Sequence, residues 1–255
     1  MAGAALPDRR VSYDGYGAEA LAARLGTPEL HVLPEVTSAL DALHALAGDG
    51  AGPGTAVLAD TQTRGRGRQG RAWHSPPGRG VWLAYLMRPA STSVAALLSV
   101  RVGLAVADAL DAVGIAVRLK WPNDVLLADR KVAGILCETR WREAAPAWAA
   151  VGIGINVHGP VPPDVALVAT ALDAAGRVSR VGVLEQLLPR LRALPADGAL
   201  SSEERTRWAA RDWLAGRRLT EPVVGVARGL DADGALRVET EGGVHRALAG
   251  HVVVA

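Results

Sequence analysis

The chain has 255 residues, enough for a full hydrophobic core, and a formal net charge of +2, too small to read as a nucleic-acid-binding stripe. Its single cysteine, Cys137, excludes an internal disulfide framework and fits a reducing cytoplasm. No apolar run reads as a membrane span, and the start, with Asp8-Arg9-Arg10 after a short apolar stretch, lacks a signal-peptide core, so a cytoplasmic protein without a membrane partner is expected.

Residues 1 to 15 show no period and read as a loose terminus. An Ala/Leu-rich helix is expected over 17–25, closed by Gly26, followed by a short strand at 31–33 and an amphipathic helix over 39–46. Ser38 just before that helix and Asp41 in its first turn have capping-box-like spacing, so capping is the ordinary role for the Ser38 hydroxyl. Strands at 57–59 and 81–87 flank a long loop, and loops of that length inside compact domains are usually functional. A core helix is read over 93–113, with Ala95, Leu98, Val102, Val106 and Ala109 on one stripe. Residues 115–120, 125–127 and 131–138 read as strands, interrupted at Trp121-Pro122-Asn123-Asp124 because Pro122 removes a ladder donor. A strand at 149–157 alternates glycines so that Gly152, Gly154 and Asn156 share a face, which leaves room for something lying flat or for close core packing. Helices follow at 181–194 and 201–215, the second opened by Ser201 and Glu204 in capping-box spacing. Short strands at 223–227, 235–240 and 244–248 then form a small barrel, too small to be very stable unless it docks, with a boundary near Gly216.

Chemistry is concentrated in two stretches. Arg64-Gly65-Arg66-Gly67-Arg68-Gln69-Gly70-Arg71-Ala72-Trp73 alternates glycine, which lets a backbone approach a ligand, with arginine, whose planar fork matches phosphate and carboxylate oxygens. The loop is an anion cradle but not a P-loop, since no Gly-Lys-Ser/Thr follows; an exposed segment touching nucleic acid by charge alone is the plainer alternative. The second stretch is marked by composition: the only lysines are Lys120 and Lys131 and the only asparagines Asn123 and Asn156. A chain that uses arginine elsewhere keeps lysine and asparagine where a compact point charge or a carboxamide is needed. Asn-Asp is also a common turn pair, so Asn123 and Asp124 have a plain reading beside the functional one. The polar set of Gln62, Arg66, Arg68, Trp73, Lys120, Asn123, Asp124, Lys131 and Asn156 describes a site for a nucleotide and a flat or extended acid, and phosphoryl or nucleotidyl transfer fits it best.

Gly65-Arg66-Gly67-Arg68-Gln69-Gly70-Arg71 with Trp73, then Lys120-Trp121-Pro122-Asn123-Asp124, Lys131-Val132-Ala133-Gly134-Ile135-Leu136 and Gly152-Ile153-Gly154-Ile155-Asn156, resemble the ordered motif set of biotin protein ligases. The resemblance implies an α+β fold: a mixed β-sheet packed against helices, like class II synthetases, with a C-terminal SH3-like barrel. It implies an N-terminal segment at 1–30, a catalytic domain at 31–215 and the barrel at 216–255. It further implies that biotin and ATP, with Mg2+, give biotinyl-5'-AMP, and that biotin passes to a lysine of a biotin carboxyl carrier domain of an acyl-CoA carboxylase. On that resemblance Arg68 and Lys131 are catalytic. Val36, Thr37, Ser38, Gln62, Gly65, Arg66, Gly67, Arg68, Trp73, Lys131, Gly134 and Gly154 bind biotin or its adenylate. Lys120, Asn123, Asp124 and Asn156 serve ATP and magnesium, with no direct protein metal cluster.

The chain departs from the pattern in two places. The family's Ser-Thr-Asn at the helix start is Val36-Thr37-Ser38, and a lost buried hydrogen bond there costs about 1–3 kcal/mol if its partner is left unpaired. Gly250-His251 stands where the family usually has Gly-Glu. Lipoate and octanoate ligases or transferases share the fold and are the runner-up. A non-catalytic adenylate-binding regulator that also binds DNA is the non-enzyme rival; residues 1–30 are too few for a helix-turn-helix domain, so no DNA partner is expected. Homodimerisation is left open.

Overall fold

The computed structural model describes residues 12–255. The chain begins with a hairpin, β1 (Ser12–Tyr13) and β2 (Tyr16–Gly17), then α1 (Ala18–Leu25), β3 (Leu30–Val36), α2 (Ala39–Gly48), β4 (Ala56–Gln62) and β5 (Gly80–Met87). It continues through α3 (Thr92–Ala112), β6 (Arg118–Lys120), β7 (Asp124–Leu127), β8 (Arg130–Arg142), β9 (Ala145–Asn156), α4 (Arg180–Arg192) and α5 (Ser202–Ala209). Five strands end it: β10 (Arg218–Glu221), β11 (Gly225–Leu230), β12 (Leu236–Thr240), β13 (Gly243–Ala247) and β14 (Val253–Val254).

A mixed seven-stranded sheet in the order β3-β4-β5-β9-β8-β7-β6 is the centre of the molecule, with only β3 and β4 parallel. Strand period two divides its side chains between two layers. Val81, Leu83, Val151, Ile153 and Ile155 join the large core under α1, α3 and α4. Trp82, Ala84 and Ala150 face the other way and pack with Leu40, Leu43 and Ala47 of α2. The second face carries the glycines of β8 and β9, so α2 covers only part of it and the arginine loop takes the rest.

Helix α3 is buried on all sides from Val100 to Ala107, rather than along one stripe, because α4 and α5 cover the side the sheet does not. It is also long and apolar enough to cross a membrane by length and composition, which corrects the sequence reading; here most of it is core. Its one buried charge is Arg101, 1 % exposed, paired with Glu204 at 2.8 Å. Arg101 also donates to the carbonyls of Pro195, Asp197 and Ala199, so one guanidinium ties the 195–199 loop and α5 to the core. Burial alone would raise the Glu204 pKa, but hydrogen bonds from Arg101 and Ser201 outweigh it and hold the carboxyl below its usual range.

Several expectations change. Residues 1–11 lie outside the described residues, but 12–15 form a strand and turn rather than a loose end: Arg180 pairs with Asp14 and Asp60, and the Tyr13 hydroxyl donates to the Gly80 carbonyl at 3.1 Å. Helix α5 stops at Ala209, short of residue 215. The following residues leave the helix to extend the sheet edge, where Leu119 N–H donates to the Arg211 carbonyl and Trp213 N–H to the Leu119 carbonyl, both at 2.8 Å. The C-terminal unit has five antiparallel strands rather than three, in the order β13-β12-β11-β10-β14. It does dock: Leu219, Ala227, Leu236 and Val238 belong to the main core, and Trp121 Nε1 donates to the Gly234 carbonyl at 3.0 Å.

Truncating Arg101 would leave Glu204 buried without its cation and three carbonyls without donors. Arg101→Ala is expected to cost about 3–5 kcal/mol, read as a lower urea midpoint, and an unchanged midpoint would contradict the clamp.

Candidate active site

A cavity of about 1210 Å³ opens on the glycine-bearing face, bounded by α2, the arginine loop, the β6–β7 turn, the 160–169 segment and Gly250-His251-Val252. Arg64, Arg66, Arg68, Arg71, Arg79, Lys120 and Lys131 line it against Asp124 and Asp164, so its field favours an anion. Of the residues singled out from sequence, Ser38, Gln62, Gly65, Arg66, Gly67, Arg68, Trp73, Lys120, Asn123, Asp124, Lys131, Gly134, Gly154 and Asn156 all line it. Val36 and Thr37 do not. Val36 ends β3 with its side chain packed against the α2 cluster, and Thr37, in the bend that follows, is exposed to solvent.

The loop is folded on itself. Trp73 N–H donates to the Gly65 carbonyl at 2.8 Å and Gly67 N–H to the Arg71 carbonyl at 2.7 Å, making a narrow hairpin-like turn. Gly65 has no room for a side chain, since a Cβ there would meet the Trp73 carbonyl. Gly134 and Gly154 face each other across β8 and β9, and the Trp73 indole fills the slot between them: a Cβ on Gly154 would lie 2.5 Å from Trp73 Nε1, and one on Gly134 3.0 Å from the ring. Gly152 likewise accommodates Leu40, at 2.8 Å. The stripped face is therefore filled mostly by the protein's own loop and helix, so of the two readings of its glycines, close packing accounts for most of it. Lys131 Nζ sits 5.2 Å from the Trp73 ring centroid on that floor.

The cations are aimed by neighbours. Lys131 Nζ lies 2.6 Å from Asp124 Oδ1, and Arg68 donates to Asn123 Oδ1 at 3.2 Å. Asn123 is itself fixed because its amide donates to the Ile135 carbonyl at 3.0 Å, so the strand break at Pro122 presents one oriented carboxamide and one carboxylate. Burial, opposed by Asp124 and aided by Lys131, lowers the Lys120 pKa. Asn156 donates to the Thr170 carbonyl at 3.0 Å and so holds the 163–170 segment against the sheet.

At the other end Ser38 does not cap α2 with its side chain. Gln62 Oε1 accepts from Ala39 N–H at 2.9 Å instead, while Gln62 Nε2 donates to Ser75 at 2.8 Å. Gln62 thus ties the helix start to the far end of the loop. This frees the Ser38 hydroxyl, which is buried at the cavity without a hydrogen-bond partner, as is Trp73 Nε1. Sequence reasoning missed Glu138, His44 and Trp148, and gave Asp41 only a capping role: Asp41 and Glu138 pair with Arg66, His44 engages Glu138, and Trp148 engages His44. Only the helical i, i+3 spacing of Asp41 and His44 hinted at a shared face. Among the described residues no group of three or more His, Cys, Asp or Glu is arranged to hold a metal.

Residues 44–156 match the model of the Biotin/lipoate A/B protein ligase family, and residues 215–252 that of the biotin protein ligase C terminal domain. Fold and site thus define a protein of the biotin and lipoate ligase class. The biotin acetyl-CoA-carboxylase ligase of Mycobacterium tuberculosis is 34% identical over 249 residues, covering 89% of this chain and 90% of that one. The bifunctional ligase/repressor BirA of Bacillus spizizenii is 32% identical over 225 residues, covering 83% of this chain and 69% of that one. The biotin protein ligase of Aquifex aeolicus, solved in complex with biotin and ATP, superposes with a TM-score of 0.74 at 29% identity, covering 89% and 98%. The chain belongs to the biotin protein ligase family.

Gly154→Ala should displace Trp73 and lower stability by about 1–3 kcal/mol in urea unfolding. Trp73→Ala should absorb part of that cost when the two are combined, because the clash disappears; strictly additive effects would contradict the slot.

Proposed function

We propose that the protein activates biotin with ATP, forming biotinyl-5'-AMP and pyrophosphate, and transfers biotin to a lysine of a biotin carboxyl carrier domain of an acyl-CoA carboxylase in the cytoplasm. The observation that carries this reading is the convergence of Arg68 and Lys131 on one cavity, Arg68 aimed by Asn123 of the β6–β7 turn and Lys131 by Asp124 at the start of β7. In the first step a biotin carboxylate oxygen attacks the α-phosphorus and the bond to pyrophosphate breaks. Negative charge is concentrated between two anions at that moment, and two fixed cations offset it without reorganising. In the second step the acceptor amine attacks the acyl carbon and AMP leaves. The folded loop covers the mixed anhydride from water between the two.

Magnesium would accompany the nucleotide. Asp124 with Asn123 and Asn156 offers one carboxylate and two carboxamides, a hard-oxygen set that fits an ion carried mainly by phosphates and water. Those residues would hold it, and it would neutralise phosphate charge.

The free Ser38 hydroxyl supports biotin over a plain acyl acid, since a ureido head can satisfy a buried hydroxyl and an alkyl chain cannot. That hydroxyl stands in part for the asparagine the sequence lacks. Pyrophosphate release with Mg-ATP, run beside octanoate and lipoate, tests the substrate: release with biotin alone is expected, and release only with an acyl acid moves the protein to the lipoyl branch. Lys131→Ala should abolish adenylation with the fold intact by circular dichroism. Arg68→Gly should let the adenylate escape and label unrelated proteins; an Arg68→Gly enzyme that stays acceptor-specific counts against the role given to Arg68.

A further inference from the structure

Arg66 points away from the β6–β7 turn that Arg68 contacts, toward β8 and α2. Its guanidinium donates from Nε and Nη2 to the two carboxylate oxygens of Glu138 on β8, at 3.0 and 3.2 Å, and Nη1 lies 2.7 Å from Asp41 on α2. Glu138 is in turn engaged by His44 Nε2 at 2.9 Å, and His44 Nδ1 accepts from Trp148 Nε1 at 3.1 Å. An indole N–H can only donate, so Nδ1 must be the unprotonated nitrogen and Nε2–H is the donor to Glu138. Each member of the chain Trp148–His44–Glu138–Arg66 has its orientation set by the one before. A bidentate guanidinium–carboxylate pair is fixed in angle as well as distance, which suits it to holding a loop.

We propose that Glu138, with His44 and Asp41, forms a clasp that holds the Gly65–Arg68 end of the loop over the cavity and so governs how long the reaction intermediate is retained. Trp73 in its glycine slot holds the other end. Glu138 and His44 are positioning residues that act through Arg66 and touch no reacting atom. The consequence for the intermediate rests on the ligase reading above; the mechanical claim about the loop does not.

The loop supplies its own probe, because Arg64, Arg66, Arg68 and Arg71 are tryptic sites that are cut when the segment opens. In protein without biotin or ATP, Glu138→Gln should speed cleavage at these sites about tenfold, as expected for losing one charge-assisted pair that is partly screened. His44→Ala should give a smaller change in the same direction. With Mg-ATP and biotin, Glu138→Gln should release biotinyl-AMP about tenfold faster and raise the biotin KM more than it lowers kcat, a split that general destabilisation would not produce. Wild-type cleavage and release rates in a folded Glu138→Gln protein overturn the proposal. Should that variant not fold, Asp41→Asn, altering a half-exposed side chain, carries the test: faster loop cleavage supports the clasp and no change overturns it. A wild-type protein that makes no adenylate would defeat the ligase reading while leaving the tryptic comparison to judge the clasp.

Discussion

The arrangement depends on a close approach: a loop backbone and an indole must lie directly on a β-sheet. Side chains normally stand off a sheet by several ångströms, so the approach is possible only where two paired strands give them up together. Gly134 and Gly154 do so in register, and Gly152 lets α2 settle beside them through Leu40. The other face of the same strands carries valine and isoleucine into the main core. One face is thus built for stability and the other for contact, and the packing of α3 and α4 keeps the floor rigid while the loop is held by a few polar contacts.

Charge is distributed with the same division. Three of the cations around the cavity are held in place: Lys131 by Asp124, Arg68 by Asn123, and Arg66 by Glu138 and Asp41. Burial would raise the Glu138 pKa, yet its hydrogen bonds to Arg66 and His44 win and keep the carboxyl below its usual range. A preorganised set of this kind costs stability to assemble and serves reactions in which negative charge must be met at once. Membership of the biotin protein ligase family is consistent with that chemistry.

Much of this was legible in the chain. The rarity of lysine and asparagine pointed to Lys120, Asn123, Lys131 and Asn156, and all four line the cavity. Period two placed Asn156 with the glycines, and Pro122 marked the strand break that orients Asn123. What could not be read were contacts between distant segments. Ser38 has the spacing of a cap, but Gln62 reaches α2 from the neighbouring strand and takes that role. Glu138 lies 72 residues from Arg66, and nothing local to either signals the pair. The early end of α5 has the same origin: the segment after Ala209 finds backbone partners on β6, and tertiary pairing overrides helical pattern. Val36 and Thr37 were placed at the site by resemblance, while only Ser38 faces the cavity.

Native mass spectrometry of the purified protein after incubation with biotin and Mg-ATP addresses the central claim most directly. The account predicts a retained mass increment equal to biotinyl-AMP, abolished by Lys131→Ala and not reproduced with octanoate. A folded protein that retains no adenylate with biotin would contradict it.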